Sequence, residues 1–449
     1  MENLTRKYGL FTAICMVVGI VIGSGIFFKA PSVIANAGTA LNSILAWAIS
    51  GLIMVVIATS FGVMATKYEK VNGVVDYAEA TCGKRYAFFV GWFMSLIYYP
   101  AMTSVLAWVS ARYTLVVVLG HDEKAFSYEC ITLALLYLVL AYFINTIAPK
   151  LAGKFQISST IAKLVPIAFI ALVGTVIGLI NGTLTSNFTM TFASDVDHPG
   201  LFPAICSTIF AYEGWIVATA INAEIKDSKK NLPIALFVGT LVIVAAYTLY
   251  NIGVLGLADL DSLHGGTQVA FNFFGPAIAS IINIFVVVSC LGTLNGLMLG
   301  CCRGIYSLSA RGEGLSPELF KQIDKTTGVP YNSASFALMV CAAWFVYFIF
   351  SVNGIFGEYG FDSSELPIIT IYPMYIPILA VMMIKEKDVT PFRRFVLPSL
   401  SAVGIGIIIY ASIKSHGIDN LYYLAVFAVI MLWGWIVLRK NEKKEHNEK

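Results

Sequence analysis

The sequence predicts an all-α, polytopic membrane protein with twelve transmembrane helices. Three observations carry this. Hydrophobic residues make up 58% of the 449-residue chain and charged residues only 12%, against about 45–50% and about 25% in ordinary globular chains. Apolar runs long enough to cross a bilayer recur twelve times. Once those runs are threaded, 24 of the 29 Lys and Arg residues gather on one side, the bias that sets membrane topology. A soluble chain of this size has no core large enough for so much apolar surface. The composition therefore excludes a soluble enzyme, a disordered protein and a nucleic-acid binder.

The runs lie at 9–36, 40–66, 86–119, 129–147, 154–180, 199–224, 232–257, 271–302, 331–351, 365–384, 394–413 and 419–438. Bilayer helices satisfy their backbone groups internally, so a helical bundle is expected. The ten-residue alternating segments of a β-barrel are absent. The linkers leave no room for a second folded domain, so 1–449 reads as one transmembrane unit. With the N-terminus inside, only Lys29, Lys124 and Lys414 fall in outer segments, and both termini are cytoplasmic. A multi-pass protein of the cell membrane is expected. The N-terminal run is too long for a cleavable signal peptide. The tail NEKKEHNEK reads as a solvated charged end. Asn181-Gly-Thr and Asn187-Phe-Thr fit the glycosylation pattern on an expected outer loop.

Eight cysteines without a CxxC pair read as small hydrophobes in helices. Five histidines fall in expected loops or the tail, with no HExxH pair. No metal and no cofactor is expected.

In chain order, the first run carries GIVIGSGIFF, with Gly19, Gly23 and Gly25 close together. Glycines let the backbone leave the helix at little steric cost. Unwinding at Gly23-Ser24-Gly25 frees amides at the start of the outer half-helix, a carboxylate site at the positive end of its dipole. It also frees the carbonyls of Val21 and Ile22 for an ammonium. One broken helix thus matches both charged groups of an α-amino acid. In the third run, Arg112 reads as a side chain snorkelling to the interface. In the fifth, Lys163 lies about two turns from the inner end, and a cation at that depth marks a functional site by default. It is placed to donate to the freed carbonyls of the first run.

The sixth run breaks at Phe210-Ala211-Tyr212-Glu213-Gly214-Trp215. Carbonyls at Phe210 and Ala211 offer further acceptors, and Tyr212 and Trp215 offer pocket walls. Glu213 costs about 2.5–3.5 kcal/mol at mid-membrane unless solvated or paired. It reads as a structural hydrogen-bond prop, as a proton carrier or as a partner for a cationic side chain. Tyr247 and Asn251 share one face of the seventh run. Ser289, Thr293 and Asn295 form a polar stripe in the eighth. Polar residues between membrane helices are more often glue than ligand contacts; Tyr247 and Asn295 are retained as candidate substrate contacts.

The two breaks lie about 190 residues apart, and the same shift maps the second run on the seventh and the third on the eighth. Because the offset is five runs, the halves run in opposite directions. This is the inverted repeat of secondary transporters, with substrate where discontinuous helices meet. The repeats are expected at 9–180 and 199–384, followed by two C-terminal helices over 394–438.

These segments resemble the amino acid–polyamine–organocation superfamily, and within it the L-type amino acid transporter branch that includes bacterial serine/threonine exchangers. The likeness rests on GIVIGSGIFFKAP, NGVVDYAEATCG, FAYEGW, EIKDSKKNLPIA and the stretch from Leu291 to Pro317. It implies five-plus-five inverted-repeat helices and two more. It implies sodium-independent exchange of amino acids. It assigns the substrate carboxylate to the amides at Ser24, Gly25 and Ile26, the ammonium to carbonyls near Ile22 and Phe210, and Lys163 to the place a coupling cation holds elsewhere. It puts Tyr247 near the substrate, while Glu213 stands where related chains vary. Members that pair with an accessory subunit use a cysteine in the outer loop between the third and fourth helices. Cys130 falls at the start of the fourth run instead, so no heavy subunit is expected. The expected function is an alternating-access exchanger of small neutral L-amino acids. The alternative is a proton-coupled transporter of cationic amino acids or amines using Glu213. The lipid bilayer and amino acid substrates are the partners implied.

Overall fold

The computed structural model of the chain describes residues 9–68, 73–119, 127–190, 199–217, 219, 225–265 and 267–447. Arg6, Lys7, Lys70, Lys124, Lys449, His121 and His198, and the end of the sixth expected run at 220–224, lie outside them. The described residues fold as helices with no sheet. Ten helices among them are long and apolar enough to cross a membrane. A bent pair, Leu10–Val21 and Gly25–Ala37, and a shorter apolar helix, Leu201–Val217, join them. In order these take up the twelve expected runs, and each is called a span below.

The second span, Ala40–Lys67, starts where Gly38 takes a left-handed turn (φ 68°) and Thr39 caps it, its hydroxyl accepting from the Asn42 amide at 3.2 Å. Both choices follow cap chemistry. The short helix Val74–Cys82 leads into the third span, Lys84–Leu119. Ser127 caps the fourth, Tyr128–Ile147. The fifth runs from Pro149 to Asn181 and takes a π turn at Ile170–Gly174. Pro166 lies just ahead of that turn, a residue that removes one intrahelical donor. The seventh is Ser228–Leu257.

The eighth span departs from its expected bounds. Gln268–Asn272 is a separate short helix, and the span proper is Pro276–Ser309. Gly275 at φ 83° sets the chain direction, and Pro276 opens the helix at a position needing no N–H donor. The remaining spans are Tyr331–Val352, Leu366–Lys385, Phe392–His416 and Asp419–Lys443. The last continues as helix to Asn447, so most of the tail is not a loose end; Glu442 Oε1 accepts from Arg85 Nε at 2.7 Å.

Packing places the two broken segments centrally. The arm Gly25–Ala37 packs on Leu201–Tyr212, and the arm Leu10–Val21 packs on the seventh and fifth spans. The second span packs along the seventh and the third along the eighth. The fifth and seventh meet backbone to backbone. A Cβ at Gly253 would stand 2.1 Å from the Ile170 carbonyl oxygen, and one at Gly174 2.4 Å from that of Gly253. Such seams need glycine, as close membrane-helix packing generally does.

Asn187 overturns the glycosylation reading at that position. Its side chain is fully buried. Its Nδ2 donates to the Leu255 and Ala258 carbonyls at 2.7 and 2.9 Å, and its Oδ1 accepts from the Leu260 amide at 3.0 Å. No face of the amide is left for a sugar.

Candidate substrate site

The first span ends its N-terminal arm at Val21. Ile22 is extended (ψ 106°), and its amide closes the arm on the Val18 carbonyl at 2.9 Å. The chain resumes helix at Gly25 with a bend of 51°. The carbonyls of Gly19 and Val21 then lack the intrahelical donors a continuous helix would supply, and the first amides of the Gly25–Ala37 arm lack acceptors. The expected break is therefore present, with Ile22, Gly23, Ser24, Gly25 and Ile26 all buried. Ser24 Oγ has no hydrogen-bond partner and has the Cys290 thiol beside it.

The sixth span breaks in the same manner. Its helix ends at Tyr212, Glu213 is extended (ψ 158°), and Gly214 takes φ 108°. Trp215–Val217 form a single tight turn, closed by the Val217 amide on the Gly214 carbonyl at 3.0 Å. The φ at Gly214 lies in the region glycine alone enters freely.

The two breaks face one another. A Cβ at Gly25 would stand 2.5 Å from Ala211 Cα, and one at Gly214 would stand 3.4 Å from the Ile20 carbonyl oxygen. Around this junction, side chains from three other spans reach the freed carbonyls. Lys163 Nζ donates to Gly19 O at 2.8 Å and to Thr293 Oγ1 at 3.1 Å, fully buried. Tyr247 OH donates to Val21 O at 3.3 Å, and Ser289 Oγ to Gly23 O at 3.1 Å. Lys163 meets a freed carbonyl as expected, at Gly19, one turn before the break's midpoint. Thr293 and Ser289, read from sequence only as a polar stripe, turn out to touch the break.

The aromatic walls sort into two groups. Tyr212 donates to the Trp47 carbonyl at 2.7 Å, and its ring lies 5.1 Å from that of Tyr247 and 5.8 Å from that of Trp47. Phe210 packs edge-on against Phe28 at 6.0 Å. Trp215 is buried on Phe61 and Tyr375, at 5.6 and 6.0 Å. Glu213 accepts from Tyr98 OH at one oxygen and from Tyr372 OH at the other, both at 2.5 Å. These tyrosines come from the third and tenth spans. Tyr98 ends the π turn Met94–Tyr98, whose widened ring re-aims side chains relative to an α-helix. Neither tyrosine was singled out from sequence; a buried carboxylate requires donors, and nothing local supplied them.

Two sequence candidates sit elsewhere. Asn295 Nδ2 donates to Ala152 O and Gln156 Oε1 at 3.2 and 3.3 Å, while its Oδ1 accepts from Asn145 Nδ2 at 3.0 Å. It ties the fourth, fifth and eighth spans together, the commoner role of a polar residue between membrane helices. Asn251 pairs with Ser43 at 3.0 Å on the second span.

Beyond the Gly25–Ala37 arm lies a cavity of about 440 Å³, lined among others by Phe28, Lys29, Trp108, Phe348, Asp362 and Asp419. Lys29, read from sequence as an outer-segment charge, is buried and donates to Glu365 Oε1 at 2.5 Å and Ser364 Oγ at 3.0 Å. The opposite end of the bundle is tied by Arg311, whose guanidinium pairs with Asp76 and, at 3.0 Å, with Glu79. Nearby Glu313 has its carboxyl pushed up to about 7, chiefly by burial. Arg112 lies 5.6 Å over the Trp108 ring.

The amino acid permease family profile matches residues 8–437. The chain is 27% identical over 403 residues to the serine/threonine exchanger SteT of Bacillus subtilis (strain 168), covering 88% of this chain and 87% of that one. It is 26% identical over 333 residues to the b(0,+)-type amino acid transporter 1 of Oryctolagus cuniculus, covering 73% and 68%. It is 28% identical over 326 residues to the cystine/glutamate transporter of Homo sapiens, covering 72% of this chain and 64% of that one. Two facing helix breaks that present bare peptide groups inside a multi-pass helical protein suit binding and passage of an amino acid, with no covalent chemistry. The chain belongs to the amino acid permease family of the amino acid–polyamine–organocation superfamily, and is an amino acid transporter rather than an enzyme.

Proposed function

We propose that this transporter is a sodium-independent, alternating-access exchanger of small neutral L-amino acids. Its carboxylate site is the amide run at Ser24, Gly25 and Ile26. Its ammonium site is formed by carbonyls of Val21, Ile22 and Gly23 with those of Phe210 and Ala211. Tyr212 and Tyr247 wall the pocket. The close approach of Gly25 to Ala211 supports a small side chain in the substrate. Exchange is supported by the likeness to the serine/threonine exchanger of Bacillus subtilis. The inverted repeats are 9–180 and 199–384, supported by the pairwise packing of the second on the seventh span and the third on the eighth. The protein sits in the cell membrane with both termini cytoplasmic, on the charge asymmetry. Cys130 is fully buried, which supports function without a subunit tethered there.

The observation that carries this reading is the Lys163 ammonium at 2.8 Å from the freed Gly19 carbonyl. A fixed cation on a broken helix does the work of a bound one, neutralising the carbonyl end of the N-terminal arm. The rival proton-coupled reading needs Glu213 free to exchange protons; the two tyrosine donors support a structural prop instead. Counterflow of labelled serine in proteoliposomes tests the proposal. Uptake driven by unlabelled amino acid inside, unchanged when sodium is replaced by potassium and lost in Lys163→Gln, is expected. Uptake that requires a sodium gradient overturns it. Uptake driven by an imposed proton gradient and lost in Glu213→Gln favours the rival.

A further inference from the structure

Outside the substrate site, four spans bring titratable side chains to one buried point. Cys206 comes from the sixth span, Glu365 from the residue ahead of the tenth, His416 from the end of the eleventh and Lys29 from the first. Glu365 divides its two oxygens. Oε1 takes the Lys29 ammonium at 2.5 Å, whereas Oε2 faces His416 Nε2 at 3.0 Å and Cys206 Sγ at 3.5 Å. The three atoms Sγ, Nε2 and Oε2 all lie within 4.8 Å of one another.

We propose that Cys206, Glu365 and His416 form a binding site for a thiophilic divalent cation of the Zn²⁺ or Cd²⁺ class. Thiolate, imidazole and carboxylate are the donor set such ions select. The spacing fits. With Zn–S near 2.3 Å and Zn–O near 2.0 Å, a tetrahedral centre holds its S and O ligands about 3.5 Å apart and its N and O ligands about 3.3 Å apart. The observed Sγ–Oε2 and Nε2–Oε2 separations stand at 3.5 and 3.0 Å. Water completes the fourth position.

The charge balance also fits. Binding replaces the thiol proton of Cys206 and any proton on His416, so the ion enters as protons leave. Lys29 opposes a second cation, but its ammonium is paired with Glu365 Oε1 at 2.5 Å and has Asp362 at 3.8 Å. Asp362 and Asp419 also act on His416 through their charges. Counting Lys29, Glu365, Asp362 and Asp419 as ionised, the point carries net negative charge before any metal arrives. Ser364, whose hydroxyl accepts from Lys29, lines the 440 Å³ cavity together with Asp362 and Asp419 and gives an entry path.

The site would clip the sixth, tenth and eleventh spans together beside the broken first span, so an occupied site restrains the sixth arm and blocks transport. The test uses the purified full-length chain with Cd²⁺ and Zn²⁺ as probes. In detergent, Cd²⁺ titration is expected to raise a saturable ultraviolet thiolate-to-metal band that Cys206→Ser abolishes. Zn²⁺ affinity by calorimetry is expected to fall at least tenfold in His416→Gln. In proteoliposomes, Zn²⁺ is expected to inhibit wild-type counterflow and to spare both variants. Absence of the band in the wild type, or a band and Zn²⁺ affinity unchanged in the variants, overturns the proposal. Should Cys206→Ser fold poorly, His416→Gln alone decides it. Loss of counterflow without metal speaks to the transport reading, whereas loss of metal binding speaks to this one.

Discussion

Gly214 and Ile20 meet across the two helix breaks: the glycine takes φ 108°, and a side chain there would press to 3.4 Å from the Ile20 carbonyl oxygen and 3.3 Å from its Cγ2. One residue lies just beyond the end of the sixth helix at Tyr212 and the other stands near the end of the first span's N-terminal arm. Their approach puts two sets of peptide groups released from the helical ladder in one small volume.

The opposite face of this junction gives the sharpest steric prediction. Gly25→Ala sets a methyl 2.5 Å from Ala211 Cα, a backbone atom that cannot swing away. Overpacking of this kind costs about 1–3 kcal/mol. Transport is expected to fall at least tenfold, with a lowered melting temperature. Gly153→Ala, with open space around it, serves as control and should change neither. Full activity in Gly25→Ala would show that the breaks separate freely.

Lys163→Gln removes a charged donor from Gly19 O and Thr293 Oγ1. Hydrogen bonds to charged groups contribute about 1.5–3 kcal/mol. Counterflow is expected to drop at least tenfold while the protein still reaches the membrane. Lys163→Arg should not rescue it, because the forked guanidinium does not fit a site built for a compact ammonium. Measured uptake of labelled serine in the three proteins decides the matter.

Tyr98 and Tyr372 hold one carboxylate between two spans, so their losses should couple. Tyr98→Phe and Tyr372→Phe are each expected to lower unfolding stability by about 1.5–3 kcal/mol. A double-mutant cycle by chemical unfolding in detergent should give an interaction energy above about 0.5 kcal/mol. Strict additivity would mean that the two tyrosines do not share Glu213.

Glu313 sets a pH dependence. Burial raises its folded-state carboxyl from 4.5 to about 7, so between those values the folded chain holds a proton the unfolded chain has lost. Stability from this group is full below pH 4.5 and is lost as pH rises through 7. Relative to wild type, Glu313→Gln should therefore show a smaller fall in melting temperature between pH 5 and pH 8. A parallel fall in both proteins refutes the assignment.

The helical spans were legible in the sequence because a bilayer demands long apolar runs, and that requirement is local. The first break was legible for the same reason, since Gly23-Ser24-Gly25 announces it within a few residues. The clasp on Glu213 was not, because Tyr98 and Tyr372 lie far away in the chain and carry no pattern of their own. Lys29 reads from its sequence position only as an outer-segment charge; only the fold supplies Glu365 as its counter-ion. The eighth span was extended too far back because Phe271–Phe274 is as apolar as a span, and Gly275-Pro276 is a break only once its φ is known.

The glycine seam between the fifth and seventh spans has a mechanical consequence. Carbonyls of Ile170, Gly174 and Gly253 sit where side chains would ordinarily space two rods apart, so neither rod can rotate without driving backbone into backbone. On the proposed transport cycle the pair must travel as one piece, carrying Lys163 and Tyr247 together, and the hinging has to occur in the jointed segments they hold.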